Sequence, residues 1–422
     1  MKHLPFFFFI FSIYLTAQTN NDSSGYYYNK SAAAYRQKDY PEFLSHTQKA
    51  ISYDKDNISL RYNLACAYAL NNNSTGAVEI LAAMVKDKLE LAFNAETDAD
   101  FSSIRETEEF KQLLEKIKEA KIPVVNSTTA FTINEKDLIP EGIAYDPVKK
   151  VFYLSSLYKY KILKIDFDGN VSEFKKERED GLVPTLGMRT DAKRRILWVV
   201  SSSSAPRENL PEEVVGTSGL FKYDLTSGRL VKKYMLPQNE KHFLNDITVA
   251  PNGDVYATDS HVPAVYLVKY DKDEIEKFVD LAGEIYPNGI DITPDGSKLF
   301  VATNNILIID TKTRKIQTLK HPKNIMLSAD GLYLYKNSLI AVQNVFYNRI
   351  AQFFLNDTFE EVIDYKILES YNPIFNIPTT GAIAKDNFYF IANSQLGSFD
   401  AGGKIFPTEK LNPVKILKLS LR

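Results

Sequence analysis

Asn288-Gly289-Ile290-Asp291-Ile292, closed by the turn Thr293-Pro294-Asp295-Gly296-Ser297, is the stretch that decides the fold. A leading residue, then Gly or Asp, then a short alternating run reads as a strand, and the Pro-Asp-Gly cluster ends it. The pattern recurs along the chain. Glu141-Gly142-Ile143-Ala144-Tyr145, Leu186-Gly187-Met188-Arg189-Thr190 and Asn245-Asp246-Ile247-Thr248-Val249 come before it, and Asp330-Gly331-Leu332-Tyr333-Leu334 and Thr380-Gly381-Ala382-Ile383-Ala384 after it. Turns such as Ala250-Pro251-Asn252-Gly253-Asp254 follow, and then second strands such as Val151–Leu154 and Val255–Thr258. The six copies start 45, 59, 43, 42 and 50 residues apart. Units of that size, each with several short strands, predict a six-bladed β-propeller. Outer strands are visible as Lys161–Asp166 with Asn170–Phe174, Gly219–Asp224 with Leu230–Tyr234, and Val265–Tyr270 with Ile275–Val279. The strand around Ala130–Ile133 is expected to pair with the last blade and close the ring, which removes exposed sheet edges.

In a propeller the innermost strand of each blade lines the central channel, so equivalent positions form a ring. The leading positions, Glu141, Leu186, Asn245, Asn288, Asp330 and Thr380, should therefore meet at one mouth. The second strands return to the same face and end near Ser155, Val200–Ser201, Asp259, Thr303–Asn304, Gln343–Asn344 and Asn393. Glu141 and Asp330 would then face each other across a narrow channel. At roughly 5 Å and an effective dielectric near 20, two unit charges repel by about 3 kcal/mol, so the pair needs a shared proton or a cation. Asn245 and Asn288 favour the cation, because carboxylate and amide oxygens are hard ligands and no His or Cys shares the position. Calcium, tolerant of irregular oxygen shells, is the first expectation for a divalent metal, with Zn, Mg and Mn as alternatives. One Asn or Asp at a strand end commonly bonds its own backbone in a turn. Four in register point to a metal.

The rest of the chain reads differently. At 422 residues it is too long for one ordinary domain and suits two. Its 51 basic residues nearly cancel its 53 acidic ones, which gives no electrostatic ground for nucleic acid or anionic membrane as a partner. Met1-Lys2-His3, the mostly apolar Phe6–Leu15 and the small-residue site Thr16-Ala17-Gln18 predict a secretory signal peptide over residues 1–18, too short for a membrane span. No cysteine follows the apolar run, which argues against a lipoprotein anchor, and the chain is expected to be exported, to a periplasm or the medium. Cys66, the only cysteine, cannot form an internal disulfide and reads as a small core residue.

Over residues 25–120 the period changes to helix pairs. Tyr35 and Tyr68 lie 33 residues apart, Asn29 and Asn63 34, and Ala50 matches Ala83. Second helices are expected over Tyr40–Ile51 and Thr75–Lys86. This small all-α domain resembles tetratricopeptide repeats, which implies either a partner-binding groove or a helical cap beside the second domain.

Pro140-Glu141-Gly142, Leu244-Asn245-Asp246, Pro287-Asn288-Gly289-Ile290 with Pro294-Asp295-Gly296, and Ala329-Asp330-Gly331-Leu332 together resemble the SMP-30/gluconolactonase/LRE-like family. The resemblance covers residues 128–422. It implies a propeller with a divalent metal in the channel and, in many members, lactonase activity. It also implies that Glu141, Asn288 and Asp330 ligate the metal, that Asn245 completes the site or holds substrate, and that Asp330 doubles as general base. Sugar-lactone members commonly carry an Arg two residues before the third-motif Asn, where this chain has Phe243. Losing a planar multi-donor cation argues against a polyhydroxylated acid lactone and for a more apolar lactone or ester. The pocket rim is expected from Phe243, His242, Asp259, His261, Asn304, Asn344 and Asn393. His242 and His261 resemble the assisting histidines of paraoxonase-like propellers, although a lone loop histidine is more often a polar surface residue. His321, before Pro322, carries less.

The expected function is a metal-dependent hydrolase acting on a lactone or related ester. The alternative is a non-catalytic, metal-containing binding propeller whose helical repeats recruit a protein partner. Isomerising or strictosidine-synthase-like chemistry shares the fold, because fold does not fix chemistry. Ser201–Ser204 reads as a loop within a long second-blade insertion, and no motif supports phosphate, dinucleotide or nucleophilic Ser or Cys chemistry.

Overall fold

The structure is a computed structural model and describes residues 20–422 apart from 56, 88, 90–93, 206, 323–324, 346–347 and 401. The leader expected over residues 1–18 lies outside the described residues. The chain divides into two compact units, one up to Ala120 and one from Lys121 onward.

The first unit is helical: α1 Asn20–Arg36, α2 Tyr40–Tyr53, α3 Ile58–Leu70, α4 Ser74–Lys86 and α5 Glu108–Ala120. Local sequence sets the starts. Asp39, Asn57 and Asn73 each accept the N–H of the third residue on, capping α2, α3 and α4; such a cap contributes about 1 kcal/mol. Ala50, Ala65, Ala67, Ala69 and Ala77 are buried where α2, α3 and α4 meet their neighbours. Cys66 is buried among them. Tyr35 donates to Asp100 at 2.9 Å and Tyr62 to Asp98, which ties the segment before α5 to α1 and α3.

The second unit is six four-stranded antiparallel sheets. In each, the recurring segment supplies the first strand: Pro140–Asp146, Thr185–Asp191, Leu244–Val249, Ile290–Ile292, Leu332–Tyr335 and Gly381–Ala384. In the sixth blade the fourth strand is Thr128–Ile133, which pairs with Val414–Ser420, Thr129 opposite Leu417 and Ile133 opposite Val414. The ring therefore closes as the early strand predicted. Second strands such as Val255–Asp259 and Ser338–Gln343 are buried throughout, while the outermost Val171–Lys175 opens with exposed residues. Core clusters lie between blades, as where Phe131, Ile143, Phe152 and Leu154 meet Ile391 and Ile416.

The glycine of the repeat is steric in origin. A Cβ at Gly142 would sit 2.1 Å from the carbonyl oxygen of Leu186, and one at Gly289 2.5 Å from that of Asp330. Gly142, Gly187 and Gly289 are thus pressed against the leading residue of the next blade. One expectation changes: the second strand of blade two runs Ile196–Ser202, so Ser201 and Ser202 are buried strand residues rather than loop. Their hydroxyls explain why polar residues survive there, since Ser201 accepts from Val183 N at 3.0 Å and Ser202 pairs with Ser218 at 2.7 Å.

Candidate functional site

Blade-to-blade hydrogen bonds hold the leading positions at the mouth. Thr379 and Thr380 of blade six donate their hydroxyls to the Glu141 carbonyl of blade one, at 3.1 and 2.5 Å. Thr258 of blade three donates to the Asn288 carbonyl of blade four at 2.8 Å. The side chains gather on this frame. Asn288 Nδ2 donates to Asp330 Oδ1 at 2.7 Å, and Asn344 Nδ2 donates to Asp330 Oδ2. Donating through nitrogen keeps each amide oxygen available as an acceptor. Asn245 is buried and donates to Ser260 Oγ at 3.0 Å.

The electrostatics are those of negative charge held out of water. Burial, followed by the charges of Asp330 and Asp246, pushes the Glu141 carboxyl well above its ordinary range. Glu141 Oε2 is buried and finds no hydrogen-bond partner among the described residues. Burial also raises Asp330, with Asp246 adding to it, while the donors Asn344 and Asn288 pull the other way. A buried carboxylate oxygen with no donor costs free energy unless a proton or a cation meets it. The donor set of two carboxylates and two amides is all hard oxygen, which fits a divalent cation of the calcium type.

Two further charged groups were not singled out from the sequence. Asp246 stands where the other five repeats have glycine, and its Oδ1 accepts from Ile247 N at 2.8 Å; burial raises it to about 6, against the pull of Arg189, and among the described residues Oδ2 has no partner. Arg189 lies three residues in from the mouth, about 10 Å along its strand. It reaches across from blade two to donate to the carbonyls of Ile290 and Leu332, each at 3.3 Å, with its guanidinium 4.5 Å above the Tyr333 ring. A guanidinium bridging three blades forms a floor beneath the carboxylates. The departure from Gly at 246 and the one basic residue among the six positions equivalent to 189 were the available signals.

The rim residues separate into groups. Asn344 is bound directly to Asp330. Asp259 is fully buried and binds His242 Nδ1 through Oδ2 at 2.6 Å, so His242 is a core histidine and not a surface one. His261 is exposed and lies against Phe243, ring centroids 5.0 Å apart. Asn304 is exposed, and Asn393 is turned to backbone, donating to Pro413 O at 2.9 Å and accepting from Lys415 N at 2.7 Å. His321 pairs with Asn305 at 3.2 Å, away from this cluster. Among the described residues, one trio of His, Cys, Asp or Glu ligand atoms lies within 4.8 Å: Cys66, Asp98 and Asp100 in the helical unit. Tyrosine hydroxyls already occupy its two carboxylates, which accounts for it as structure.

Residues 139–330 match the family described as SMP-30/Gluconolactonase/LRE-like region. No curated protein matches the chain. The chain is similar in structure to a gluconolactonase from Xanthomonas campestris, at 14% identity over 70% of this chain and 88% of that one, TM-score 0.46. It is likewise similar to a calcium-binding protein, regucalcin, from Agrobacterium tumefaciens, at 15% identity over 70% and 96%, TM-score 0.47. A virginiamycin B lyase from Staphylococcus aureus is similar at 18% identity over 61% and 79%, TM-score 0.45.

Proposed function

We propose that this six-bladed propeller, with its SMP-30/gluconolactonase/LRE-like region, is a divalent-metal-dependent hydrolase of a lactone or related ester. The observation that carries the reading is Glu141 Oε2, a buried carboxylate oxygen without a donor among the described residues, beside a second buried carboxylate whose amide partners are themselves hard ligands. Glu141, Asn288, Asp330 and Asn245 would hold the cation, with calcium first among Ca, Zn, Mg and Mn. When bound, the metal supplies Lewis-acid polarisation of the carbonyl and stabilisation of the oxyanion.

The chain's own groups do the rest. Asp330, oriented at both oxygens by Asn288 and Asn344, is placed to take a proton from the attacking water. The water oxygen bonds to the carbonyl carbon and the acyl C–O bond breaks, the proton passes to the departing alkoxide, and the product is a hydroxy acid from a lactone or an acid and an alcohol from an ester. Arg189 closes the far side of the site, so substrate and water enter from the rim.

The test is metal content and calcium titration of the purified protein, followed by a lactone and ester panel with and without chelator. Asp330→Ala should abolish both tight metal binding and turnover. Normal metal binding and hydrolysis in that variant would remove the assignment. Bound metal with no hydrolysis of any substrate would favour a binding propeller.

A further inference from the structure

We propose that Phe243, His261 and Tyr286 form an aromatic ledge at the channel mouth that receives a planar apolar group attached to the substrate carbonyl. The ledge rests on the lactone-or-ester reading only for the carbonyl end of the ligand. Phe243 and His261 are nearly parallel, centroids 5.0 Å apart and planes at 27°, and His261 meets Tyr286 at 6.1 Å and 57°. Two of the three flank ring positions: Phe243 is two residues before Asn245, and Tyr286 two before Asn288. His261 follows Ser260, whose hydroxyl accepts from Asn245 Nδ2 at 3.0 Å and donates to Pro287 O at 2.6 Å. One serine thus fastens all three loops beside the proposed ligands. The electrostatic influence of Asp330 and Glu141 on the Tyr286 phenol agrees with that placement.

The ledge is built rigidly. Asp259 Oδ1 accepts the backbone N–H of Phe243, His261 and Val262 at 3.0, 3.1 and 3.0 Å, while Oδ2 is held by His242. A buried carboxylate oxygen that accepts from both Phe243 N and His261 N fixes the spacing of those two arms. Tyr286 has φ +52, a region bulky residues avoid, and it precedes Pro287, which restricts it further. For a bulky side chain this is a costly conformation, so the surrounding chain must hold it. It leaves Tyr286 46% exposed and His261 exposed beside it.

The ligand class follows from the surface. Phe243 and His261 cover each other's facing sides, so the ledge offers the outer side of His261 and the exposed Tyr286 ring, and rings without a cationic fork leave a polyol's hydroxyls unpaired, which is costly on desolvation. A flat apolar group instead gains stacking attraction from each ring it meets, beyond its buried area. The ledge therefore selects an aryl-fused or aryl-substituted lactone or ester.

The test uses a lactam isostere that cannot be hydrolysed easily. 3,4-Dihydroquinolin-2-one is titrated calorimetrically into the calcium-loaded protein, beside δ-valerolactam, which has the same ring without the fused arene. The bicyclic lactam should bind more tightly, and Tyr286→Ala or His261→Ala should weaken it about two- to tenfold, one contact's worth of stacking. Tyr286→Phe should keep the affinity, and all variants should keep calcium binding, which reports an intact ring. Equal binding of the two lactams to the wild-type protein, or unchanged binding in Tyr286→Ala, would overturn the ledge. If the bicyclic lactam binds as expected while neither dihydrocoumarin nor any other member of the lactone and ester panel is hydrolysed, the ledge stands and the hydrolase reading fails.

Discussion

Asn344 shows how one residue can belong to a site without standing in its ring. It comes from the end of a second strand, yet its amide donates to Asp330 Oδ2 and to the Pro378 carbonyl, clamping the acid to the neighbouring blade. Residues that orient a ligating carboxylate are typically worth about 10–100-fold in metal affinity. Asn344→Ala should therefore weaken calcium binding by that factor while leaving the far-ultraviolet spectrum and unfolding midpoint nearly unchanged. Calorimetry against calcium decides it; an unaltered affinity would mean that Asn288 alone orients Asp330. The leading positions were legible because they recur in register, and Asn344 because it sits at a strand end. Asp246 and Arg189 were less so. They sit inside the same repeats, but their meaning depends on which neighbour the backbone presses against them, and that contact is made between blades far apart in sequence.

At the scale of elements, turn chemistry and alternation wrote the blades, and the closing strand was readable because an unpaired edge has to find a partner. Strand limits and burial were not readable in the same way. Ser201 and Ser202 look like loop until Val183 and Ser218 are seen to satisfy their hydroxyls. His242 looks like a surface histidine until Asp259, 17 residues on, is found against it. Polar residues can be interior wherever a distant partner exists, and sequence spacing does not announce the partner. The closing strand carries its own prediction. Phe131 is 5% exposed and packs on Phe152 of blade one and Tyr389 of blade six, at 5.4 and 6.1 Å. Truncation of a buried Phe costs about 3–5 kcal/mol. Phe131→Ala should lower the urea midpoint of the propeller by a corresponding amount, because the lost ring bridges the seam between first and last blades. A midpoint within error of the wild type would show that the seam is held by backbone pairing alone.

Taken whole, the propeller concentrates buried negative charge at Glu141, Asp330 and Asp246, and Arg189, beside Asp291 and Asp246, is the buried cation among the inner strands. Burial raises Glu141, Asp330 and Asp246, the last to about 6, above their values in an unfolded chain near 4. In metal-free protein the folded state therefore holds protons that the unfolded state has already released. Stability due to these groups is present below the unfolded values and falls as pH rises through the raised ones. Ion-paired carboxylates such as Asp273, lowered to about 2 by Tyr234 and Lys232, act oppositely and lose their contribution only in strong acid. A divalent cation on the channel carboxylates requires them deprotonated, so its affinity should rise with pH, and so should the stabilisation it confers. Thermal midpoints measured from about pH 5 to about pH 8, with chelator and with excess calcium, should therefore diverge, the chelated curve falling while the calcium curve stays level or climbs. Asp330→Asn should collapse the gap at every pH, since it removes a ligand charge without changing the side chain's shape. A gap that is constant with pH, or that narrows as pH rises, would place the cation somewhere other than on these buried acids.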